Sequence, residues 1–165
     1  MPKPVIAAVN GVAAGAGAGY AFAADIRVLS RSASFRLAFT GVGLSCDNGT
    51  SWTLSRLVGL GKAIELLMLP QRIDAEMAYS LGLATQVVED AEFPSAVAEL
   101  ASTLAKGPTL AYTAVKRAVK FGASHTMMQA LEHEYVGMNQ TRDSQDHRRA
   151  VQAFVDGRKA SFEGR

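Results

Sequence analysis

Residues 5–26, VIAAVNGVAAGAGAGYAFAADI, decide the fold, because an apolar run breaks into alternating glycine and alanine and then resumes. The apolar residues 5–9 predict a short buried strand, and the Asn10-Gly11 pair predicts a turn after it. The run from Gly15 to Gly19 has no large side chain, so a ligand or a packed neighbour can approach the backbone closely. Residues 20–24 include good helix formers, which places the glycines near a helix N-terminus.

Two explanations of the glycine run stay open from the residues alone. The free N–H groups and the positive dipole end of a helix N-terminus favour a developing anion, as in a backbone oxyanion hole. Alternatively, the small residues only let a helix pack closely against its neighbours. Nucleotide-binding loops are excluded by spacing: Tyr20 and Phe22 stand where G-x-G-x-x-G needs its last glycine, and Gly61-Lys62 is followed by alanine instead of Ser or Thr.

The composition predicts one cytoplasmic domain. With 165 residues, 48% of them hydrophobic, the chain can bury a core, and its net charge of +2 argues against a nucleic-acid or membrane-surface partner. Cys46 is the only cysteine, which excludes an internal disulfide and is typical of a reducing compartment. Asp25 and Arg27 interrupt the apolar N-terminal stretch well short of a membrane span. The three histidines lack metal-ligand spacing, so we expect no metal site.

Hydrophobic periodicity predicts strands mixed with helices up to residue 92 and helices alone after it. Asp74 is the expected N-cap of a helix that ends at Leu81-Gly82-Leu83. The other predicted elements are strands at residues 26–29, 35–39 and 84–88, a loop at 41–49, and helices at 50–58, 62–69, 94–106, 108–121, 126–140 and 145–159. One helical stripe belongs either to the core or to a subunit interface, and it consists of Met127, Met128, Leu131, Tyr135 and Met138.

The segment KPVIAAVNG at residues 3–11, the glycine run and the ADIR of residues 24–27 resemble the enoyl-CoA hydratase/isomerase, or crotonase, superfamily. Later landmarks agree in order, among them RLVG at 56–59 and IDAEMA at 73–78. The resemblance covers essentially the whole chain. It implies an α/β, crotonase-like ββα spiral core, truncated at the N-terminus, over residues 1–92. A helical region of the trimerisation type follows at residues 93–165 within one continuous structural domain.

In this superfamily two backbone N–H groups polarise the thioester carbonyl of an acyl-CoA. The resemblance implies that Ala16 supplies one of these groups, with Gly15 and Gly17 beside it at the substrate. The other belongs to an earlier segment that the resemblance places before Met1. Hydratases carry glutamates at the positions of Gly19 and Phe39, neither of which can transfer a proton here.

The loop containing Asp47 resembles the branch of ring-1,2-epoxyphenylacetyl-CoA isomerase and Δ3,Δ2-enoyl-CoA isomerase, in which an aspartate moves the proton. The same likeness implies that Phe39, Leu44 and Trp52 contact the substrate. Apolar surroundings would favour the neutral carboxyl group and so increase the basicity of Asp47. From the residues alone, the Asp-Asn-Gly string favours a turn residue at Asp47, and the catalytic role comes from the resemblance. Cys46 has no activating neighbour in the sequence and is expected to be a packed thiol.

The resemblance implies an acyl-CoA isomerase that uses one carboxylate and one helix N-terminus. No cofactor is expected, because coenzyme A is part of the substrate. The expected assembly is a homotrimer or hexamer. The alternatives are a non-catalytic crotonase-like fragment, an enoyl-CoA hydratase and a thioester hydrolase.

Overall fold

The computed structural model describes residues 1–165, which divide into two compact units. One unit is Val5–Glu99, and the other combines Met1–Pro4 with Leu100–Arg165. The first four residues join the second unit through backbone carbonyls: Thr113 donates a hydrogen bond to the Pro2 carbonyl, and the Lys116 ammonium donates one to the Lys3 carbonyl at 2.9 Å.

The first unit contains two three-stranded sheets. One sheet is parallel in the order β1-β3-β6, and the other has the order β2-β4-β5 with β5 antiparallel. Successive pairs of strands contribute one strand to each sheet. The first two pairs are joined by a hydrogen bond from the Ser34 N–H to the Gly11 carbonyl at 3.1 Å. The strands are β1 (Ile6–Val9), β2 (Val12–Ala14), β3 (Ile26–Ser30), β4 (Ser34–Arg36), β5 (Arg72–Asp74) and β6 (Gln86–Val88).

Four α-helices and one 3-10 turn accompany these sheets. The core is aliphatic and aromatic, and Phe22 of the first helix meets Phe35 of β4 with ring centroids 4.9 Å apart. Leu54, Leu66 and Ile73 are fully buried in the same cluster. The helices are α1 (Ala16–Ala23), α2 (Thr50–Val58), α3 (Leu60–Met68) and α4 (Ala75–Ser80), and the 3-10 turn is Thr40–Val42.

Arg27 is a buried structural cation on β3. Its guanidinium donates hydrogen bonds to the carbonyls of Leu83 and Ala24, each at 2.8 Å. Burial lowers the pKa of Arg27 below its ordinary value, and the Asp25 carboxylate opposes that shift. The arginine therefore ties the end of α1 to the segment that follows α4.

The second unit is helical. The fifth helix, α5, crosses the boundary between the units, and its successors α6 and α7 pack closely at small residues, such as Gly137 against Ala114. Near the start of α8, the buried Asp146 carboxylate accepts hydrogen bonds from the N–H groups of Glu163 and Gly164 at 2.8 and 2.9 Å, which holds the C-terminal tail. The helices are α5 (Phe93–Ala105), α6 (Thr109–Gly122), α7 (Met127–Arg142) and α8 (Gln145–Val155). None of the chain's helices has the length and apolarity needed to cross a bilayer.

The mixed α/β class and the position of every predicted helix are confirmed, and residues 50–58 match α2 in full. Other bounds were wrong. The helix predicted from residue 62 begins at Leu60, because only Gly59 breaks the chain there, at φ 80°. The last helix ends at Val155 instead of residue 159. Asp156 is its C-cap and donates its backbone N–H to carbonyls of the last turn. The strand predicted at residues 35–39 is Ser34–Arg36, and β6 is shorter than predicted.

Asp74 begins α4 by accepting a hydrogen bond from the Met77 N–H at 2.9 Å, as the sequence predicts. We expect Asp74→Ala to lower the free energy of unfolding by about 1 kcal/mol, because it leaves an N–H group of the first turn without its acceptor. Asp74→Asn keeps an acceptor and should remain within a few tenths of a kcal/mol of the wild type, roughly the spread between good N-cap residues. Urea denaturation monitored by circular dichroism measures both. Equal losses in the two variants would contradict this role.

Candidate functional site: a helix N-terminus beside the Asp47 loop

Gly15 turns the chain from β2 into α1. Its φ of 49° and ψ of −117° form a conformation that side chains disfavour, and its N–H donates to the Arg36 carbonyl of β4 at 2.9 Å. Ala16 is the first residue of α1, so its N–H and that of Gly17 have no acceptor within the helix. The bend thus aims backbone donors and the positive end of the dipole away from the helix.

Gly19 lets α1 lie directly against the loop that carries Asp47. A Cβ atom at Gly19 would lie 2.6 Å from Thr50 Oγ1 and 3.4 Å from Asn48 Cβ. Thr50 is fully buried, and its hydroxyl has no hydrogen-bond partner. The contact therefore joins one side of α1 to the beginning of α2.

Asp47 is exposed, so the expectation that apolar residues surround its carboxylate is wrong in this structure. Its carboxylate accepts a hydrogen bond from the Asn48 side-chain amide at 2.8 Å, and its backbone carbonyl accepts one from the Thr50 N–H at 2.9 Å. Asn48 has a φ of 49°, and no other non-glycine residue has a positive φ. Asp47 is thus both a turn residue, as the alternative interpretation held, and an accessible carboxylate.

The expected substrate-contacting residues separate into two groups. Phe39 is buried, and its ring lies 3.7 Å from the place that a Cβ of Gly15 would occupy. Its carbonyl accepts the Leu44 N–H at 2.9 Å, while the Leu44 side chain is exposed. Trp52 is also exposed, and the Arg56 guanidinium stacks over its ring with Cζ 3.8 Å from the centroid. The structure packs Phe39 against the glycine turn and leaves Leu44 and Trp52 at the surface.

Asn48, Thr50 and Arg56 are neighbours of the site that the sequence analysis did not single out. The Asn-Gly pair at residues 48–49 signals a backbone that tolerates a positive φ, and this signal identifies Asn48 in retrospect. Arg56 follows Trp52 by four residues on one helix, the spacing at which side chains meet. The buried contact of Thr50 has no local sequence signal, since it arises from packing between α1 and α2.

No second carboxylate belongs to this part of the chain. Gly19 and Phe39, the positions that align with hydratase glutamates, are both buried. From Ile26 to Ile64, Asp47 is the only acidic residue. Proton transfer by a side-chain carboxylate in this segment therefore has one candidate.

Comparison with known proteins identifies the family and the fold. The family model described as enoyl-CoA hydratase/isomerase matches residues 1–165. The chain belongs to the enoyl-CoA hydratase/isomerase family. A Rhodobacter capsulatus member of the family, named "probable enoyl-CoA hydratase", is 42% identical over 99% of this chain and 64% of its own length. The 1,2-epoxyphenylacetyl-CoA isomerase of Escherichia coli is 39% identical over 100% of this chain and 63% of its own.

The crotonase-like fold is confirmed by a solved family member. The crystal structure of an enoyl-CoA hydratase from Bacillus anthracis superposes with a TM-score of 0.95 at 31% identity, covering 100% of this chain and 64% of that one. The chain thus spans slightly less than two thirds of the length of these enoyl-CoA hydratase/isomerase relatives.

The glycine turn provides a stability test. We expect Gly15→Ala to lower the free energy of unfolding by about 1–3 kcal/mol, the cost of forcing a Cβ into a sparsely populated backbone region. Gly61→Ala is the matched control: Gly61 lies in α3, and an added Cβ meets nothing within 4 Å. That change should raise stability by roughly 0.5–1 kcal/mol through helix propensity. Thermal and urea unfolding measure both, and a neutral Gly15→Ala would contradict the assigned turn.

Proposed function

We propose that the protein is an acyl-CoA isomerase that moves a double bond by proton transfer through Asp47. The Ala16 N–H, at the positive end of α1, would stabilise the oxygen of the thioester as negative charge forms there. In the simplest case, the Asp47 carboxylate takes a proton from C2 of a 3-enoyl-CoA, which leaves a dienolate. The same carboxyl group then returns the proton to C4, so a 2-enoyl-CoA forms with no change in composition.

The observation that carries this proposal is one accessible carboxylate on the loop that packs against α1, the helix whose N-terminus is open. Asp47 is exposed and adjoins Asn48, which lies on Gly19 of α1. A reaction that removes a proton and returns it elsewhere needs one acid-base group, whereas the hydratases that this chain resembles use two. The name of the E. coli relative, an isomerase, agrees with this chemistry, and that of the R. capsulatus relative favours hydration.

We also propose that the whole protein assembles as a homotrimer or hexamer. The support is the exposure of large apolar side chains on α7, where Met127 is 78% exposed and Tyr135 is 70% exposed. Contiguous apolar surface of this kind is typical of subunit interfaces. The exposed residues of the stripe are Met127, Met128, Leu131, Tyr135 and Met138.

Deuterium uptake from D2O into a 3-enoyl-CoA tests the chemistry, because exchange requires only the proton-abstraction half of the reaction. We expect Asp47→Asn to lower the exchange rate by about 10²- to 10⁴-fold, the usual contribution of a positioned acid-base group. Asp74→Asn is the matched control, since it makes the same substitution at an exposed aspartate and retains the cap of α4.

Mass spectrometry of the product separates the alternatives. An isomer keeps the mass of the substrate, a hydratase product gains one water, and a thioester hydrolase releases free CoA. Wild-type exchange that survives Asp47→Asn would refute the role of Asp47. Absence of both exchange and acyl-CoA binding in the wild type would favour the non-catalytic fragment.

The assembly has its own test. We expect light scattering to give three or six copies for the wild type, and Tyr135→Glu to shift the protein towards the monomer, because a charge would be buried in the interface. Glu132→Gln, an exposed change on the same helix, should leave the size unaltered. A monomeric wild type would contradict the proposed assembly.

A further inference from the structure

We infer that Gly19 and Thr50 form a positioning pair, whose close contact sets the distance between the donors of α1 and the Asp47 carboxylate. This inference rests on the proposed function and goes beyond it, since neither residue touches the reacting atoms. The pair acts through the Ala16 N–H and the Asp47 carboxylate, whose relative position it fixes.

The contact is closer than any side chain at position 19 allows. A Cβ there would lie 2.6 Å from Thr50 Oγ1, a separation that real Cβ atoms essentially never show. Thr50 cannot yield easily, because it is fully buried and its two γ atoms are attached to a branched Cβ with few rotamers. The buried hydroxyl has no hydrogen-bond partner, so its role at this place is to fill space.

Both sides of the contact connect directly to the proposed machinery. On α1, the Gly19 N–H donates to the Gly15 carbonyl at 3.1 Å, which fixes Gly19 to the turn that presents the Ala16 N–H. On the loop, the Thr50 N–H donates to the Asp47 carbonyl at 2.9 Å. A wedge between Gly19 and Thr50 would therefore move the carboxylate relative to the backbone donors. Misplacement by about 1 Å can cost 10²-fold in rate.

The test is a kinetic cycle at the two positions, measured as exchange into a 3-enoyl-CoA. We expect Gly19→Ala to lower kcat by about 10- to 100-fold while KM changes little, because the wedge alters geometry and removes no binding group. Adding Thr50→Ala to Gly19→Ala removes both γ atoms and should restore kcat to within a few-fold of the wild type. Adding Thr50→Val keeps two γ atoms and should not restore it.

Controls separate positioning from general destabilisation. Gly61→Ala introduces the same methyl group in open space and should leave kcat unchanged. Circular dichroism gives the folded fraction of each variant, to which kcat is normalised. If Gly19→Ala does not fold, Thr50→Ala alone tests the pair by leaving a gap at the contact, and we expect it to lower kcat several-fold.

Two results would overturn the inference. One is a folded Gly19→Ala with wild-type kcat; the other is a wild-type kcat in Thr50→Ala when Gly19→Ala does not fold. Failure of the proposed function would give a different result, because the wild type itself would then exchange no deuterium. That result would also exclude the positioning role. Rescue by Thr50→Ala but not by Thr50→Val would support the pair, since a purely structural defect would not change the kcat of the folded protein.

Discussion

The lack of side chains along one side of the first turn of α1 is the constraint on which the rest of the structure depends. Gly15 adopts a backbone conformation that lets β2 turn at once into the helix, and Gly19 lets the loop before α2 lie against that helix. A side chain at position 15 would strain the turn, and one at position 19 would clash with Thr50, so α2 could not lie against α1 as it does. The site is therefore a direct consequence of the packing.

The same constraint explains the chemistry proposed for the protein. Backbone donors stabilise charge well when they are held in place before the reaction, and α1 is held by a β4 carbonyl at one end and by the core through Phe22. With glycine at position 19 and a buried phenylalanine at position 39, the carboxylate comes from the loop alone. In the proposed reaction, the helix N-terminus stabilises the thioester oxygen and one exposed aspartate moves the proton.

The sequence predicted the elements that are encoded locally. Helix α7 begins at the Thr126 capping box and α8 at the Ser144 cap, and such signals lie within a few residues of each helix start. The strands β2 and β5 were missed, because each has three residues and exists through its pairing with β4. At the site, the two explanations of the glycine run apply to different residues: Gly19 packs, while Ala16 keeps a free N–H. The exposure of Asp47 depends on what surrounds the loop, which no local pattern encodes.

The role of the α1 N-terminus can be measured by ¹³C NMR of an enoyl-CoA labelled at the thioester carbonyl and bound to the Asp47→Asn protein, in which the substrate is not consumed. If the start of α1 donates hydrogen bonds to the carbonyl, as proposed, the carbonyl is polarised and its resonance should shift downfield on binding. A carbonyl resonance that stays at its position in water when the substrate is bound would show that the helix N-terminus does not act on the thioester.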